Sequence, residues 1–482
     1  MDAHLIDSKV FGHNWGTEES RAIFAERSRV ARWVQVAKAL ANAQGELGVI
    51  PTEAAGAIAE LDAAVLDLAE MGERTRSSSH SLLGLIDGLR QALTDNTPDS
   101  SAPKEGALKD RAFVDSDSEA SALSGAPAQQ YVLYGCTVQD VSDTAAVLEL
   151  DAVATLMWRD LWHLEGHLLD LAQAHRATAM LGRTHAQPGA PISFGFKAAS
   201  WADEVGRHLC RLREGRNRWR VGQLAGAVGV LGFHGELALD LQERFCAELG
   251  LHAPAITWTA ARDRFAEFGA VAAQTAASLA RIANEVYHLQ REEIGELTEA
   301  SAPGTVGSIT MPHKRNPEAS EQIMTLARLL RNDSSMLVET MVGDHERDGS
   351  TWKTEWVVFP QIGHYSLTQL SLALTLVTGL TVETKRMKAN LHRFGVANSQ
   401  ELLARISTRI GKHQAQEALG RIYREAPSGA ERDRLLAELA TPEELEGVGD
   451  VQLGAAPAMV DRLVSAARQR RIEESDVWTS TT

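Results

Sequence analysis

Ser308, Lys314 and Asn316 share one short stretch, Gly304-Thr305-Val306-Gly307-Ser308-Ile309-Thr310-Met311-Pro312-His313-Lys314-Arg315-Asn316-Pro317. A hydroxyl that takes up a proton once ionised, a fixed positive charge and an amide donor suit chemistry beside a carboxylate. Gly304 and Gly307 allow backbone angles closed to other residues, while Pro312 and Pro317 restrict φ and the residue before each. The stretch therefore reads as a mobile loop carrying polar groups, not as a helix or a strand.

Helices must position such a loop. Helical spacing of apolar residues runs over 19–47, ending at Gly48 with Pro51 beyond, and over about 53–71. A polar segment from Arg74 to His80 follows, then an apolar run from Leu82. Residues 95–129 are rich in Ser, Asp, Pro, Ala and Gly, with little periodicity, and read as a flexible loop or insertion. Longer helical patterns occupy 139–175, 193–217, 262–297, 317–342 and 361–380. Within 262–297, Val271, Leu279, Ile282, Val286 and Leu289 form a stripe with Thr275 filling one step, and Ala272, Ala273, Ala276 and Ala277 add small surface on other faces. Apolar groups on several faces need several helical partners, so the pattern predicts an all-α bundle that also buries surface against other subunits. The expected units are an N-terminal helical domain over 1–130, a long-helix bundle over 131–382 and a C-terminal helical domain over 383–482.

Composition narrows the partners. The 482 residues carry a formal net charge of −16, which argues against nucleic acid or an anionic membrane as main partner. A local cluster of Arg, Lys and helix N-termini can still hold a small anion. Cys136, Cys210 and Cys246 form no CxxC pair, the N-terminus shows no basic-then-apolar leader, and no apolar run reaches membrane-spanning length. A cytoplasmic protein is expected.

Gly307, Ser308, Met311, Pro312, Lys314, Asn316 and Pro317 fill every fixed position of Gly-Ser-x-x-Met-Pro-x-Lys-x-Asn-Pro, and the chain thus resembles the aspartase/fumarase superfamily. Gly135-Cys136-Thr137-Val138-Gln139-Asp140 and Gly182-Arg183-Thr184-His185-Ala186-Gln187-Pro188 look like the other two signature segments. The resemblance covers essentially the whole chain and is greatest to the branch of adenylosuccinate lyases and 3-carboxy-cis,cis-muconate cycloisomerases. It implies a homotetramer around a twenty-helix bundle, active sites each built from three subunits, a small dicarboxylate substrate, and no metal or organic cofactor. Carried over, Ser308 is the base, Lys314 and Asn316 bind the carboxylate that gathers charge, and Glu321 pairs with Lys314. His185 beside Thr184 is an acid or water relay. Thr137 and Gln139 hold a substrate carboxylate, and Ser79, His80 and Ser81 form another substrate-contacting loop. Apart from the family motifs, Arg207 on the helix after the His185 segment is a candidate second carboxylate clamp. The bland alternatives are helix-end or turn residues and, for Arg207, a solvated helix arginine.

Departures bear on the substrate. Leu133 stands where adenylosuccinate lyases carry a histidine, and Trp356 where they carry a phosphate-binding arginine. Val138 and Ile309 replace small hydroxyl residues, implying a drier, smaller pocket. The resemblance thus implies β-elimination from a small substituted succinate to fumarate by a carbon–nitrogen lyase, nitrosuccinate being the specific expectation. The rivals are a carboxymuconate cycloisomerase and a non-catalytic, crystallin-like protein on the same scaffold.

Three further patterns read as structural. His163 and His167 sit at i, i+4, but the glutamate is one position off HExxH. Gly226 to Gly232 lacks the spacing of a dinucleotide loop. The basic run from Arg211 to Arg220 reads as a solvated helix end.

Overall fold

The computed structural model describes residues 4–95, 126–301, 304–394, 399–426, 429–448, 450–474 and 478. Nearly all of the insertion expected over 95–129 lies outside the described residues. The N-terminal part holds α1 (Glu18–Phe24), α2 (Glu26–Glu46), α3 (Thr52–Ala59), α4 (Leu68–Ser78) and α5 (Leu83–Asp95). The middle holds α6 (Val138–Ala174), strands β1 (Ala179–Thr184) and β2 (Gln187–Ser193), α7 (Phe194–Trp219), α8 (Ala238–Glu248) and α9 (Asp263–Leu289). It continues through β3 (Leu297–Thr298), α10 (Glu318–Glu339), α11 (Gly349–Thr378) and β4 (Thr381–Val382). Last come α12 (Thr384–Phe394), α13 (Ser399–Ile410), α14 (Lys412–Glu425), α15 (Ala430–Leu439), α16 (Pro442–Leu445) and α17 (Ala456–Glu473).

Five long helices make the body: α6 packs along α7 and α11, and α10 along α9 and α11. Leu150, Val153, Met157, Leu161, Leu164 and Leu168 on α6 are all buried at three- and four-residue steps, the face of a helix enclosed by neighbours. The stripe expected on α9 is buried as read, with the Thr275 hydroxyl donating back to the Val271 carbonyl at 2.9 Å. Polar helical residues can satisfy themselves this way inside a core.

The differences have local causes. The stretch 53–71 is two helices, because the carboxylates of Asp62 and Asp67 accept from the amides of Ala64 and Ala69, at 2.9 and 2.8 Å, and restart the chain. Most of the polar segment after Arg74 belongs to α4, leaving Ser79 as its left-handed C-cap. The 262–297 pattern ends as a helix at Leu289. The helix expected from 361 begins at Gly349 and carries Pro360 within it. The first strand pair, unanticipated, is a hairpin that pairs Thr184 with Gln187. Its turn residues His185 and Ala186 have φ of 50° and 60°, the two-residue turn that matches strand twist.

One hydrophobic cluster runs from Ile6 to Met387 and resumes at Val460 through Trp478, while Leu402, Ile406, Ala415, Leu419 and Ala440 form a second. The last helix therefore returns to the bundle rather than joining its neighbours in the 383–482 stretch. Glu165 of α6, 1% exposed, holds Arg470 and, at 3.0 Å, Arg471 of α17. Trp478 stacks on Trp158 with ring centroids 5.0 Å apart. Among the described residues no helix is long and apolar enough to cross a membrane, and Cys136, Cys210 and Cys246 are free thiols.

Candidate active site

At the N-terminus of α6, Thr137, Gln139 and their surroundings are fixed by two linked polar networks. Asp140 accepts the amides of Thr137, Ala225 and Gly226 at 2.9, 2.8 and 3.1 Å. Arg347, in the turn between α10 and α11, donates to the Thr137 hydroxyl at 3.0 Å and to the Gly226 carbonyl at 3.2 Å. Thr137, Asp140, Gly226 and Arg347 thus close a ring. Burial pushes the Asp140 carboxyl up to about 7, against the pull of the amides it accepts.

The second network lies one turn deeper. Arg262 donates to Asp143 at 2.7 Å and to Glu355 at 2.9 Å, with all three residues buried. The Trp352 indole donates to Asp143 at 2.9 Å, and the Gln139 amide donates to the Asp143 carboxylate and the Thr259 carbonyl at 3.1 and 2.9 Å. A buried pair satisfied on every side fixes geometry more than it adds stability. Here it fixes the first turn of α6, where a 37-residue helix presents its positive end beside the Arg347 guanidinium.

His185 and the 304–317 loop sit at the other end of the bundle. The helix α6 alone spans ~55 Å at 1.5 Å per residue over its 37 residues, and the β1–β2 hairpin follows its C-terminus. Arg183, two residues before His185, makes two bonds of 2.8 Å to the buried Glu296, which also accepts from Asn390 at 2.7 Å. Glu296 stands next to β3, so the hairpin and the root of the loop are tied together.

The loop folds on itself. The Asn316 amide donates to the Gly307 carbonyl at 2.8 Å, and a Cβ at Gly307 would run into the Lys314 carbonyl, so only glycine fits. Ser308 and Lys314 are thereby brought onto one small turn. The Ser308 oxygen accepts the Met311 amide at 3.0 Å, a bond that favours a negative charge on that oxygen. Lys314 is exposed, and among the described residues its side chain meets no hydrogen-bond or ionic partner.

Several expectations change on this geometry. Lys314 and Glu321 do not pair: Glu321 lies exposed in the first turn of α10, with no ion pair among the described residues. Asn316 uses its amide nitrogen to close the loop. Arg207, paired with Asp203 on the surface of α7, has the geometry of a solvated helix arginine. Ser79, His80 and Ser81 form the turn between α4 and α5, and Thr184 is exposed beside His185. Among the described residues no hydrogen bond or ion pair joins the 304–317 loop to His185 or to Thr137 and Gln139. Leu133 is buried with φ of 54°, whereas Ile309, 95% exposed, lines nothing within one chain.

Of the patterns read as structural, His163 and His167 are exposed around the anchoring Glu165, and residues from Gly226 onward form an irregular connection against Asp140. The basic run is not a solvated end. Arg213 pairs with Glu474, Arg216 with Asp151 at 3.0 Å and Arg218 with Glu267, so it ties α7 to α17, α6 and α9. Arg347 was missed because it lies in a turn and meets Thr137 across 210 residues. Asp143, a charge inside an apolar helix pattern, was the visible trace of the deeper network.

Residues 113–329 match the family model described as Lyase. The chain is 35% identical over 481 residues to N-acetyl-S-(2-succino)cysteine lyase of Dickeya dadantii (strain 3937), covering 97% of this chain and 98% of that protein. It is 33% identical over 490 residues to nitrosuccinate lyase of Streptomyces davaonensis, covering 96% and 95%. The crystal structure of 3-carboxy-cis,cis-muconate lactonizing enzyme from Pseudomonas putida superposes with a TM-score of 0.82 at 27% identity, over 96% of this chain and 99% of that one.

Proposed function

Because the chain belongs to the aspartase/fumarase superfamily of lyases, we propose that it eliminates a substituent from a small substituted succinate to release fumarate. Ser308, ionised, takes a proton from the methylene carbon of the substrate. The adjacent carboxylate accepts the charge as an aci-carboxylate, which the Lys314 ammonium offsets by ~4 kcal/mol at about 4 Å and an effective dielectric near 20. The bond from the neighbouring carbon to the leaving group then breaks, its electron pair departs with that group, and the double bond of fumarate forms. The α6 corner with Thr137 and Arg347 anchors the other carboxylate.

The observation that carries this reading is the amide of Met311 on the Ser308 oxygen at 3.0 Å, with Lys314 on the same turn. A thiolate is the first leaving group to test, given the 35% identity to N-acetyl-S-(2-succino)cysteine lyase over nearly the whole of both chains. Nitrite, the sequence-based expectation, is the second, given the 33% identity to nitrosuccinate lyase. Both are stable anions that need little proton donation, so a relay by His185 assists rather than drives departure.

The α6 corner and the loop lie at opposite ends of the bundle, so the reading requires several copies of the chain. A homotetramer supplies them, and exposed Val338, Met341 and Val342 near the end of α10 offer apolar surface for its contacts. The test is a panel of S-succinylated thiols, nitrosuccinate and carboxymuconate, read by ultraviolet absorbance. Fumarate should appear from a substituted succinate and not with Ser308→Ala. Loss of carboxymuconate absorbance, with no fumarate from any succinate, would replace elimination by cycloisomerisation.

A further inference from the structure

Between α2, α6 and α11 lies a cavity of about 380 Å³, behind the Asp143–Arg262–Glu355 network. Its walls are aromatic: Phe24, Trp33, Phe265, Trp356 and Phe359. Phe359 sits edge-on to Phe24 and Phe265 at 6.0 and 5.6 Å. The charged groups facing it are unbalanced. Glu26, Asp143, Glu149 and Glu355 line it together with Arg29, and Arg32 of the same helix also acts on Glu149. Arg262 is already taken up by Asp143 and Glu355.

One atom in this lining lacks its bond. Glu149 is 1% exposed, and one carboxylate oxygen accepts from the Arg29 guanidinium at 3.0 Å. The other oxygen is buried with no hydrogen-bond partner. A buried carboxylate oxygen left unpaired is costly, so a site holding one invites a donor.

We propose that this cavity is a binding site for a small organic ammonium ion carrying an aromatic or aliphatic body. The ammonium hydrogens meet the free Glu149 oxygen, and the ring faces of Trp33 and Trp356 attract the same positive charge through their quadrupoles. The body fills the space between Phe24 and Phe359. The free Glu149 oxygen, with Glu26 beside it, disfavours phosphates and dicarboxylates, which separates this cavity from the proposed anion-binding corner at Thr137. Asp143 is shared between them: it lines the cavity and accepts the Gln139 amide at 3.1 Å. The cavity is thus the back wall of that corner.

The test is calorimetric titration of the intact protein with phenethylammonium, with phenylacetate and phenethyl alcohol as matched controls, alongside tryptophan fluorescence. Phenethylammonium is expected to bind saturably and at least tenfold more tightly than either control. Glu149→Gln and, independently, Trp356→Leu are each expected to weaken it tenfold or more while the thermal midpoint stays within a few degrees. Should Glu149→Gln fail to fold, Trp356→Leu alone decides. Equal binding of all three compounds, no saturable binding, or binding unchanged in the folded variants overturns the proposal.

Discussion

The first turn of α6 and the 304–317 loop both carry groups suited to carboxylates, but they hold them in opposite ways. At the α6 corner each side chain is held by another: Thr137 by Arg347, Gln139 by Asp143, and Asp143 by Arg262 and Trp352. In the loop, Ser308 has one amide and Lys314 has solvent. Binding groups built into one core keep their geometry without help. On the proposed reading the loop meets a substrate held by another copy of the chain, and within one chain it is held by its own bonds, Asn316 to Gly307, Met311 to Ser308 and Lys314 to Met311.

If this contrast is right, substitutions in the loop should cost activity and not stability, and those in the corner should cost both. The largest expected effect is Ser308→Ala, with turnover down roughly 10²–10⁴-fold and a thermal midpoint within a degree or two of wild type. Steady-state kinetics and thermal unfolding decide it; wild-type turnover removes Ser308 as the base. Next is Arg262→Met, which leaves Asp143 and Glu355 buried without their cation and should cost about 3–5 kcal/mol by urea unfolding. A loss under about 1 kcal/mol would mean that the corner is not held by that network.

A pH dependence follows from Asp140. Its carboxyl sits at about 7 in the fold, against 3.8 as the ordinary value, so the folded chain binds that proton more tightly. The stabilisation is complete below about pH 4 and is lost as pH rises to 7, at up to ~1.4 kcal/mol per unit. Asp140→Asn should flatten that slope in urea midpoints taken between pH 5 and 7; an unchanged slope assigns it to other groups. The smallest expected effect is Gly307→Ala, which pushes the loop off the Lys314 carbonyl and should lower turnover about tenfold, ~1.4 kcal/mol, with stability intact. A fall in melting temperature instead would blur the contrast between the two regions.

What the sequence showed in advance follows the same division. The α9 stripe and the limits of α6 were legible because apolar spacing at 3.6 residues survives along an uninterrupted helix. The break at Leu61 to Asp67 was hidden because the apolar pattern continues across it, while two aspartates restart the chain. Pro360 masked the true start of α11. Within the site, Ser308, Lys314, Asn316 and His185 were visible through local motifs. Arg347 on Thr137, and Arg262 between Asp143 and Glu355, join residues far apart in the chain and leave no periodic trace. The missing Lys314–Glu321 pair has the same lesson: a spacing of seven residues across a loop end fixes no contact.

Mixing two inactive variants tests most directly that the loop of one copy completes the corner of another. Ser308→Ala and Arg347→Met proteins, each expected to be nearly inactive alone, would be unfolded together and refolded as mixed oligomers, and fumarate release measured against each parent. Recovery to roughly a quarter of wild-type activity, as random mixing of two site-contributing subunits gives, is the predicted result. Mixed oligomers no more active than their parents would show that the two groups do not complete one site between copies, and would contradict it.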